Sequence, residues 1–539
     1  MIEISKIYRF MGRFIMLLLM AALTSSCHDS KSTPLKNVII MIGDGMGPQQ
    51  VGLLNTYAKY APNSIYKAQG GITAIENAMT MGTIGYAYHE AANVLVTDSA
   101  ASATQFAAGV RAGSEMIGCD QFGNATKTIL ELAQNLGKST GLVSDTRMTH
   151  ATPAAFAAHQ SHRSKENAIA LDMLNAEVDV MLSGGLRHWI PKEANDKNAV
   201  VHQYLKTRTG GNIKIKSKRK DSRDLLAEAS NKQYAVALTL SELEHAKGDK
   251  ILGLFSYSGM PDGIQETLSK NDPNRTVPTL KEMTMKALDV LSKNDKGFFL
   301  MIEGGQIDWA GHDNDAGTLL HEMLKFDDTI KYVLEWVKNR QDTLLIISAD
   351  HETGGFGFSY SRRNLPQEKD LPGKLFEGEK FSPNFNFGSH DILDRLYNQK
   401  LSYANMLKQF DALPVHQQTP QSLQEIVNQH TQFPITLAEA ATVLETEENE
   451  YYVAGHPSLG SKTFPKIHDF KEFYVYSSEL RLDLLGRVVA KYQNTVWATG
   501  THTNTPVPLI AIGPENVTAQ FGRMMHTTEW AQYAIEALQ

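Results

Sequence analysis

The sequence predicts an α/β protein, a three-layer α/β/α sandwich around a mostly parallel central sheet, on three observations. Four short runs are apolar without alternation: Asn37 to Ile42 (NVIIMI), Phe298 to Ile302 (FFLMI), Thr343 to Ser348 (TLLIIS) and Leu509 to Ile512 (LIAI). Such runs suit strands covered on both faces, as in a parallel sheet. Each breaks at a small or acidic cluster: Gly43-Asp44-Gly45, Glu303-Gly304-Gly305, Ala349-Asp350-His351 and Gly513-Pro514. Helical patterns lie between them, as in Gly317 to Asn339, where Leu319, Leu320, Met323, Phe326, Ile330, Val333, Leu334 and Val337 share one face.

At 539 residues the chain is long enough for one large domain with insertions or for two domains. A formal net charge of -7 gives no reason to expect nucleic acid as a partner. The one basic run, Lys214 to Lys220 (KIKSKRK), is followed by DSRD and reads as a solvated loop.

Lys6, Arg9 and Arg13 precede the apolar run Phe14 to Leu23 (FIMLLLMAAL), which is too short to span a bilayer and fits the core of an export signal. The mature protein is therefore expected to be exported to the periplasm. Leu23 to Cys27 (LTSSC) resembles a lipoprotein signal, cleaved before a cysteine that carries the lipid. Leu23 stands four residues before Cys27, where the usual spacing is three, so a plain cleaved signal is the alternative. Cys27 and Cys119 are the only cysteines, and a lipidated Cys27 leaves Cys119 without a partner. That excludes a disulfide scaffold. Residues 28–35 read as a polar tether.

In Val94 to Arg111 (VLVTDSAASATQFAAGVR) a β-branched run ends at Asp98-Ser99 and a small-residue helix begins. Ser99 then sits at a helix N-terminus, where backbone N–H groups and the dipole favour an anionic substrate such as a phosphate ester. The same pair also fits a plain N-cap. In THATPAAFAAHQSHR, Thr152 reads as an N-cap and Pro153 as the first helical residue. A helix continued from there brings Arg163 about three turns on to the same face, where a guanidinium can grip two phosphate oxygens.

Asp44, Glu303, Asp350 and His351 all follow predicted strands, where ligands gather in open α/β sheets. Any one acid there could be a turn former; four at equivalent ends are harder to dismiss. In EGGQIDWAGHDND, Asp308 and His312 stand four apart and share a helical face, a chelating pair. Asp and imidazole suit zinc, whereas carboxylate, hydroxyl and water suit magnesium. His89, His159, His162, His188 and His321 have no partner at ligand spacing and receive no role.

The segments IGDGMG, TDSAASAT, HATPAAFAAH with Arg163, EGGQIDWAGH, SADHETGG and GTHTNTPVPLIAIGP occur in the order of the alkaline phosphatases. The chain resembles that family from about Asn37 to Tyr360 and again from about Val496 to its end. The resemblance implies a phosphomonoesterase acting on small phosphate monoesters, with Ser99 as the nucleophile and Arg163 as the phosphate clamp. It implies one zinc on Asp44, Asp350 and His351, a second on Asp308, His312 and His502, and a magnesium on Asp44, Thr152 and Glu303. A homodimer is expected on the same ground.

Two positions depart from the best-known bacterial members: His150 stands where they have Asp, and Trp309 where they have Lys. Together these resemble some marine bacterial members. Both influence the magnesium site and bound phosphate, and loss of the lysine is expected to loosen phosphate. A further departure is the 151 positions between His351 and His502. Residues 36–360 and 491–539 then form the core, and 361–490 an insertion, which could be a crown over the active-site mouth, a dimer contact or a surface decoration. The alternatives are a phosphodiesterase or sulfatase-type hydrolase of the same superfamily, and a non-catalytic metal-binding lipoprotein. Sulfatases use a Cys/Ser-x-Pro-x-Arg motif, which TDSAAS lacks.

Overall fold

Ten strands make the central sheet of the computed structural model, which describes residues 35–539. In chain order they are β1 (Asn37–Gly43), β2 (Thr83–Tyr88), β3 (Ser139–Arg147), β4 (Val180–Gly184), β5 (Ala235–Ala237), β6 (Ile251–Leu254), β7 (Phe298–Gly304), β8 (Thr343–Ser348), β9 (Val507–Ile512) and β10 (Met524–His526). Across the sheet the order is β10-β2-β9-β8-β1-β7-β3-β4-β6-β5. Every residue of β1, β7 and β8 is buried, which is why these runs carry no polar alternation. The export signal, Cys27 and tether residues 28–34 lie outside the described residues.

Neighbouring strands run parallel except at β9, which is antiparallel to both β2 and β8. The run Leu509 to Ile512 is thus a strand of opposite direction from that expected in a parallel set. Gly513 ends beside Thr343, at the amino end of β8, away from the acids of the other strands. An apolar run carries no mark of direction, so only pairing reveals it.

Register sets the site. Ile42 lies opposite both Glu303 and Ser348, and Ser144 lies opposite Glu303. Asp44, Glu303 and Asp350 therefore emerge side by side from three adjacent strands.

Five helices matter for the site: α1 (Ser99–Ala108), α2 (Gln306–His312), α3 (Ala316–Val337), α4 (Leu480–Gln493) and α5 (Thr527–Leu538). All eight apolar residues predicted to share a face of α3 are buried, packed in a layer with helices Leu280–Leu291, Gly263–Ser269 and Pro48–Tyr60. A second helical layer is built on α1 and α5, which pack against each other.

The β-branched run Val94 to Val96 is an irregular loop with Leu95 82% exposed. Two local expectations differ. His150, not Thr152, is the N-cap of the short helix Ala151–Ala154, so Pro153 is its third residue and the helix stops long before Arg163. In the basic run the lysines are exposed, but Arg219 is buried, bridged to Asp221 and donating to the carbonyls of Asn167 and His188. Cys119 is a free, buried thiol.

The stretch read as an insertion holds helices Asp391–Tyr397, Tyr403–Asp411, Pro420–His430 and Leu437–Leu444, and leads into α4. Leu396, Tyr403, Phe410, Leu423, Val427 and Phe433 are buried. The first of these helices packs on α3, which ties the stretch to the sheet.

Candidate active site and metal centre

Ser99 is the first residue of α1, and Asp98 caps that helix by accepting from the N–H groups of Ala100 at 2.8 Å and Ala101 at 3.4 Å. The second Asp98 oxygen accepts from Glu115 N at 2.7 Å, so the cap is held from both sides. Ser99 is buried, and its Oγ lies 3.3 Å from His351 Nε2. Ser99 thus stands at the positive end of the helix dipole, the placement read from the sequence, with Asp98 taking the N–H groups of Ala100 and Ala101.

Three groups of buried side chains surround it. In the first, His351 Nε2 is 3.5 Å from Asp44 Oδ1 and 3.2 Å from Asp350 Oδ2. In the second, Asp308 Oδ1 is 3.3 Å from His312 Nε2 and 3.4 Å from His502 Nε2. The third joins Asp44, Glu303 and His150, with the Thr152 hydroxyl donating to Asp44 Oδ2 at 3.4 Å. His150, read from the sequence as lining the site, is thus a full member of the third group.

The local fold explains each position. Asp308 and His312 share a face of α2, one turn apart. His502 is delivered by a short antiparallel pairing of His502–Thr503 with Glu352–Thr353, just beyond β8. Gly45, at φ +75°, turns the chain so tightly that a Cβ there would lie 2.7 Å from Asp308 Cα.

The chemistry of these donors fits cations. His312 Nδ1 donates to the Gly500 carbonyl at 2.7 Å, and His502 Nδ1 to the Thr97 carbonyl at 2.9 Å. Both rings then point Nε2 at Asp308, and these two atoms are 3.2 Å apart. Asp44 Oδ1, Glu303 Oε1 and His150 Nδ1 are buried without a hydrogen-bond partner. Among the described residues, no lysine or arginine pairs with Asp44, Glu303, Asp308 or Asp350.

Electrostatics agree. Burial, and then Asp350, raise Asp44 well above the usual carboxylate range. Burial and Asp308 push Asp350 up to about 8, and burial pushes Glu303 up to about 7. Burial lowers His312, but Asp308 more than reverses this and carries it to about 10. Asp44, Asp350 and Glu303, crowded and resisting ionisation, are stabilised as carboxylates by a divalent ion among them, whereas Asp308, despite its burial, is held well below the usual carboxylate range by His312 and His502.

These groups open onto a cavity of about 520 Å³ whose walls include Ser99, His150, Arg163, Trp309, His502 and Tyr476. Arg163 arrives on a loop rather than a helix, fixed where its N–H donates to Glu115 O at 2.8 Å. Its guanidinium lies 3.6 Å from Asp98 Oδ1 and 3.2 Å from His150 Nε2. Trp309 meets His150 edge to face, with ring centroids 5.9 Å apart.

Sequence reasoning missed two sets of residues. Tyr476 and Glu479, beyond the predicted core, wall the cavity beside His312. The Tyr476 ring stands edge-on to His312 at 5.2 Å, and a Glu479 oxygen lies 3.7 Å from His312 Nδ1. Tyr476 closes the aromatic run Phe470 to Tyr476 (FKEFYVY), a signal in the sequence that could have drawn attention to this stretch. Behind the site, the buried Lys325 ammonium sits 2.8 Å from Asp145 Oδ2 and also bridges Glu322. Asp145 Oδ1 accepts from Gly305 N at 2.6 Å, and Gln306 donates to the Asp145 carbonyl. Lys325 thereby anchors the turn between Glu303 and the α2 side chains Asp308 and His312. Nothing in the sequence signals a lysine on the buried face of a helix.

The alkaline phosphatase family model matches residues 35–443, into the stretch read as an insertion. The chain is 30% identical over 512 residues to alkaline phosphatase 3 of Bacillus subtilis (strain 168), covering 94% of this chain and 89% of that one. It is 32% identical over 367 residues to the alkaline phosphatase of Escherichia coli (strain K12), covering 61% and 72%. Among solved structures it resembles the Thermus thermophilus alkaline phosphatase with a TM-score of 0.72 and 25% identity, over 94% of this chain and 92% of that one. It also resembles the cold-active alkaline phosphatase of the psychrophile Shewanella sp., with a TM-score of 0.66 and 26% identity over 93% and 100%. The chain belongs to the alkaline phosphatase family, the phosphoric monoester hydrolases.

Proposed function

We propose that hydrolysis runs through a phosphoserine on Ser99, with two zinc ions and one magnesium held by the three groups. The observation that carries this reading is the Ser99 hydroxyl, 3.3 Å from His351, on the wall of a cavity that Arg163 also lines. Asp44, Asp350 and His351 would hold one zinc, and Asp308, His312 and His502 the other. Asp44, Glu303 and Thr152 would hold the magnesium, with His150 beside them. When bound, the ions lower the pKa of the serine hydroxyl and stabilise charge on the attacking and leaving oxygens.

The chain's own residues do the rest. Arg163 grips two non-bridging oxygens of the monoester and presents phosphorus to Ser99. The Ser99 Oγ–P bond forms as the bond from phosphorus to the alcohol oxygen breaks, and the alcohol leaves with a proton. Water then displaces Ser99 from phosphorus, releasing inorganic phosphate. Two in-line displacements retain configuration at phosphorus.

The test is acid-quenched incubation with a 32P-labelled monoester, together with metal analysis. The expected result is label on the wild-type chain and none on Ser99→Ala, with about two zinc and one magnesium per chain. Rapid turnover with no label on Ser99 overturns the phosphoserine, and preference for bis-p-nitrophenyl phosphate points to a diesterase.

Residues 361–490 act in this reading as a cap, supported by Tyr476 and Glu479 in the cavity wall. Export, a lipid on Cys27 and a homodimer complete it. Fatty-acid labelling of wild type against Cys27→Ala tests the anchor, and sedimentation tests the dimer.

A further inference from the structure

A second cavity, of about 880 Å³, opens beside the catalytic one and shares Glu115, Tyr476 and His502 with it. Its size is that of a small-molecule site. On one side stands the loop Val96 to Asp98, whose last residue caps the nucleophile's helix. On the other stand Phe470, Phe473, Val475 and Tyr476, with Trp497 adjoining. Phe470 and Phe473 are 67% and 56% exposed, large apolar rings left toward solvent at the rim of an active site.

The backbone of Phe470 is left-handed, at φ 52° and ψ 32°. For a bulky side chain that conformation costs free energy, and such residues gather at ligand sites. Tyr476 is fixed edge-on against His312, so one aromatic side chain forms part of the wall of both cavities.

Charge narrows the occupant. No lysine or arginine lines this cleft, and of its two carboxylates Asp98 is engaged by Arg163 and the α1 N–H groups and Glu115 by His162. An alcohol bearing a second phosphate or a carboxylate finds no cation on this lining. A neutral aromatic alcohol finds rings to stack on.

We propose that this cleft seats the alcohol part of the substrate and selects monoesters of neutral, aromatic alcohols. The proposal rests on the reading of Ser99 and Arg163 given above, which sets the phosphoryl end of the substrate in the adjoining cavity. His502, shared by both cavities, marks the junction where the ester oxygen passes from one to the other.

The test compares kcat/KM for 2-naphthyl phosphate, glycerol 2-phosphate and 3-phosphoglycerate in wild type, Phe473→Ala and the double variant Phe470→Ala/Phe473→Ala. Both phenylalanines are exposed, so the variants should fold. Taking each substrate's ratio of variant to wild type cancels intrinsic leaving-group differences. The naphthyl ratio should fall about 10-fold in the double variant, while the glycerol ratio and the inhibition constant of inorganic phosphate hold steady. Phe473→Tyr should restore most of the loss. An unchanged naphthyl ratio overturns the proposal. So does a change in sedimenting mass of the variants with selectivity intact, since the rings would then serve a contact between copies. A wild type that hydrolyses none of the three monoesters refutes the underlying reading instead, so the two failures are distinct.

Discussion

Replacing Glu303 by glutamine should make the metal-stripped protein more stable at alkaline pH, although it removes a proposed magnesium ligand. Glu303 is fully buried, and burial raises it from its ordinary 4.5 to about 7. At about 1.4 kcal/mol per unit, this is roughly 3 kcal/mol. The sign follows from linkage: the folded-state value lies above the unfolded one. The contribution is therefore complete below about pH 4.5 and is lost as pH rises through about 7. A chain of about 500 ordered residues unfolds with an entropy near 1 kcal/mol/K, so the effect is a shift of about 3 °C. The amide that replaces the carboxyl stays neutral and can still accept from Ser144 and Thr146, which donate to Glu303 Oε2 at 2.5 and 3.3 Å. Calorimetry of chelator-stripped wild type and Glu303→Gln at pH 5 and pH 9 is the assay. The two should melt together at pH 5, and the variant should melt about 3 °C higher at pH 9. A variant that folds at pH 5 yet melts at or below wild type at pH 9 would falsify the claim that ionising the buried Glu303 destabilises the ion-free site.

Lys325→Met should lower stability by about 3–5 kcal/mol, because Asp145 and Glu322 are left buried without their cation. It should also speed zinc loss to a chelator, and unchanged retention would show that Lys325 does not position the α2 ligands. Trp309→Lys should tighten product inhibition by phosphate about 10-fold by placing an ammonium beside the anion. An inhibition constant no tighter than wild type sinks that expectation. Arg163→Ala should reduce kcat/KM for p-nitrophenyl phosphate about 10- to 100-fold, the worth of a forked, charge-assisted contact. A loss under about 3-fold would remove Arg163 from phosphate binding.

The sheet was legible because β1, β7 and β8 are buried on both faces, and a strand in that position has no freedom to be anything but apolar. Asp44, Glu303 and Asp350 were legible for a related reason: a buried run that stops at an acid marks the strand end where a parallel sheet gathers ligands. Asp308 and His312 followed from helical spacing alone. His502 did not, since its approach depends on pairing with Glu352–Thr353, and only the family resemblance pointed to it. The direction of β9 was hidden because hydrophobicity reports burial and not pairing. The Thr152 cap failed because the helix begins two residues earlier than expected, with His150 as its N-cap, and it ends at Ala154. Arg163 reached the site by a loop, a route that periodicity cannot describe.

The order of strands in the sheet has a consequence for how the molecule comes into being. β1 is made almost first, yet its partners on either side are β7 and β8, and Gly45 donates to Asp350 across 305 positions of sequence. Topologies dominated by such distant pairings close slowly. Asp44 has no companion ligands until Asp350 and His351 exist, and Asp308 and His312 wait for His502, which is anchored to Thr97 across 405 positions. A growing chain can therefore assemble neither the Asp44, Asp350 and His351 group nor the Asp308, His312 and His502 group until most of it has been synthesised, and any truncation before His502 abolishes the second outright. The Asp308, His312 and His502 group is thus complete only once nearly all of the chain that builds the sheet exists.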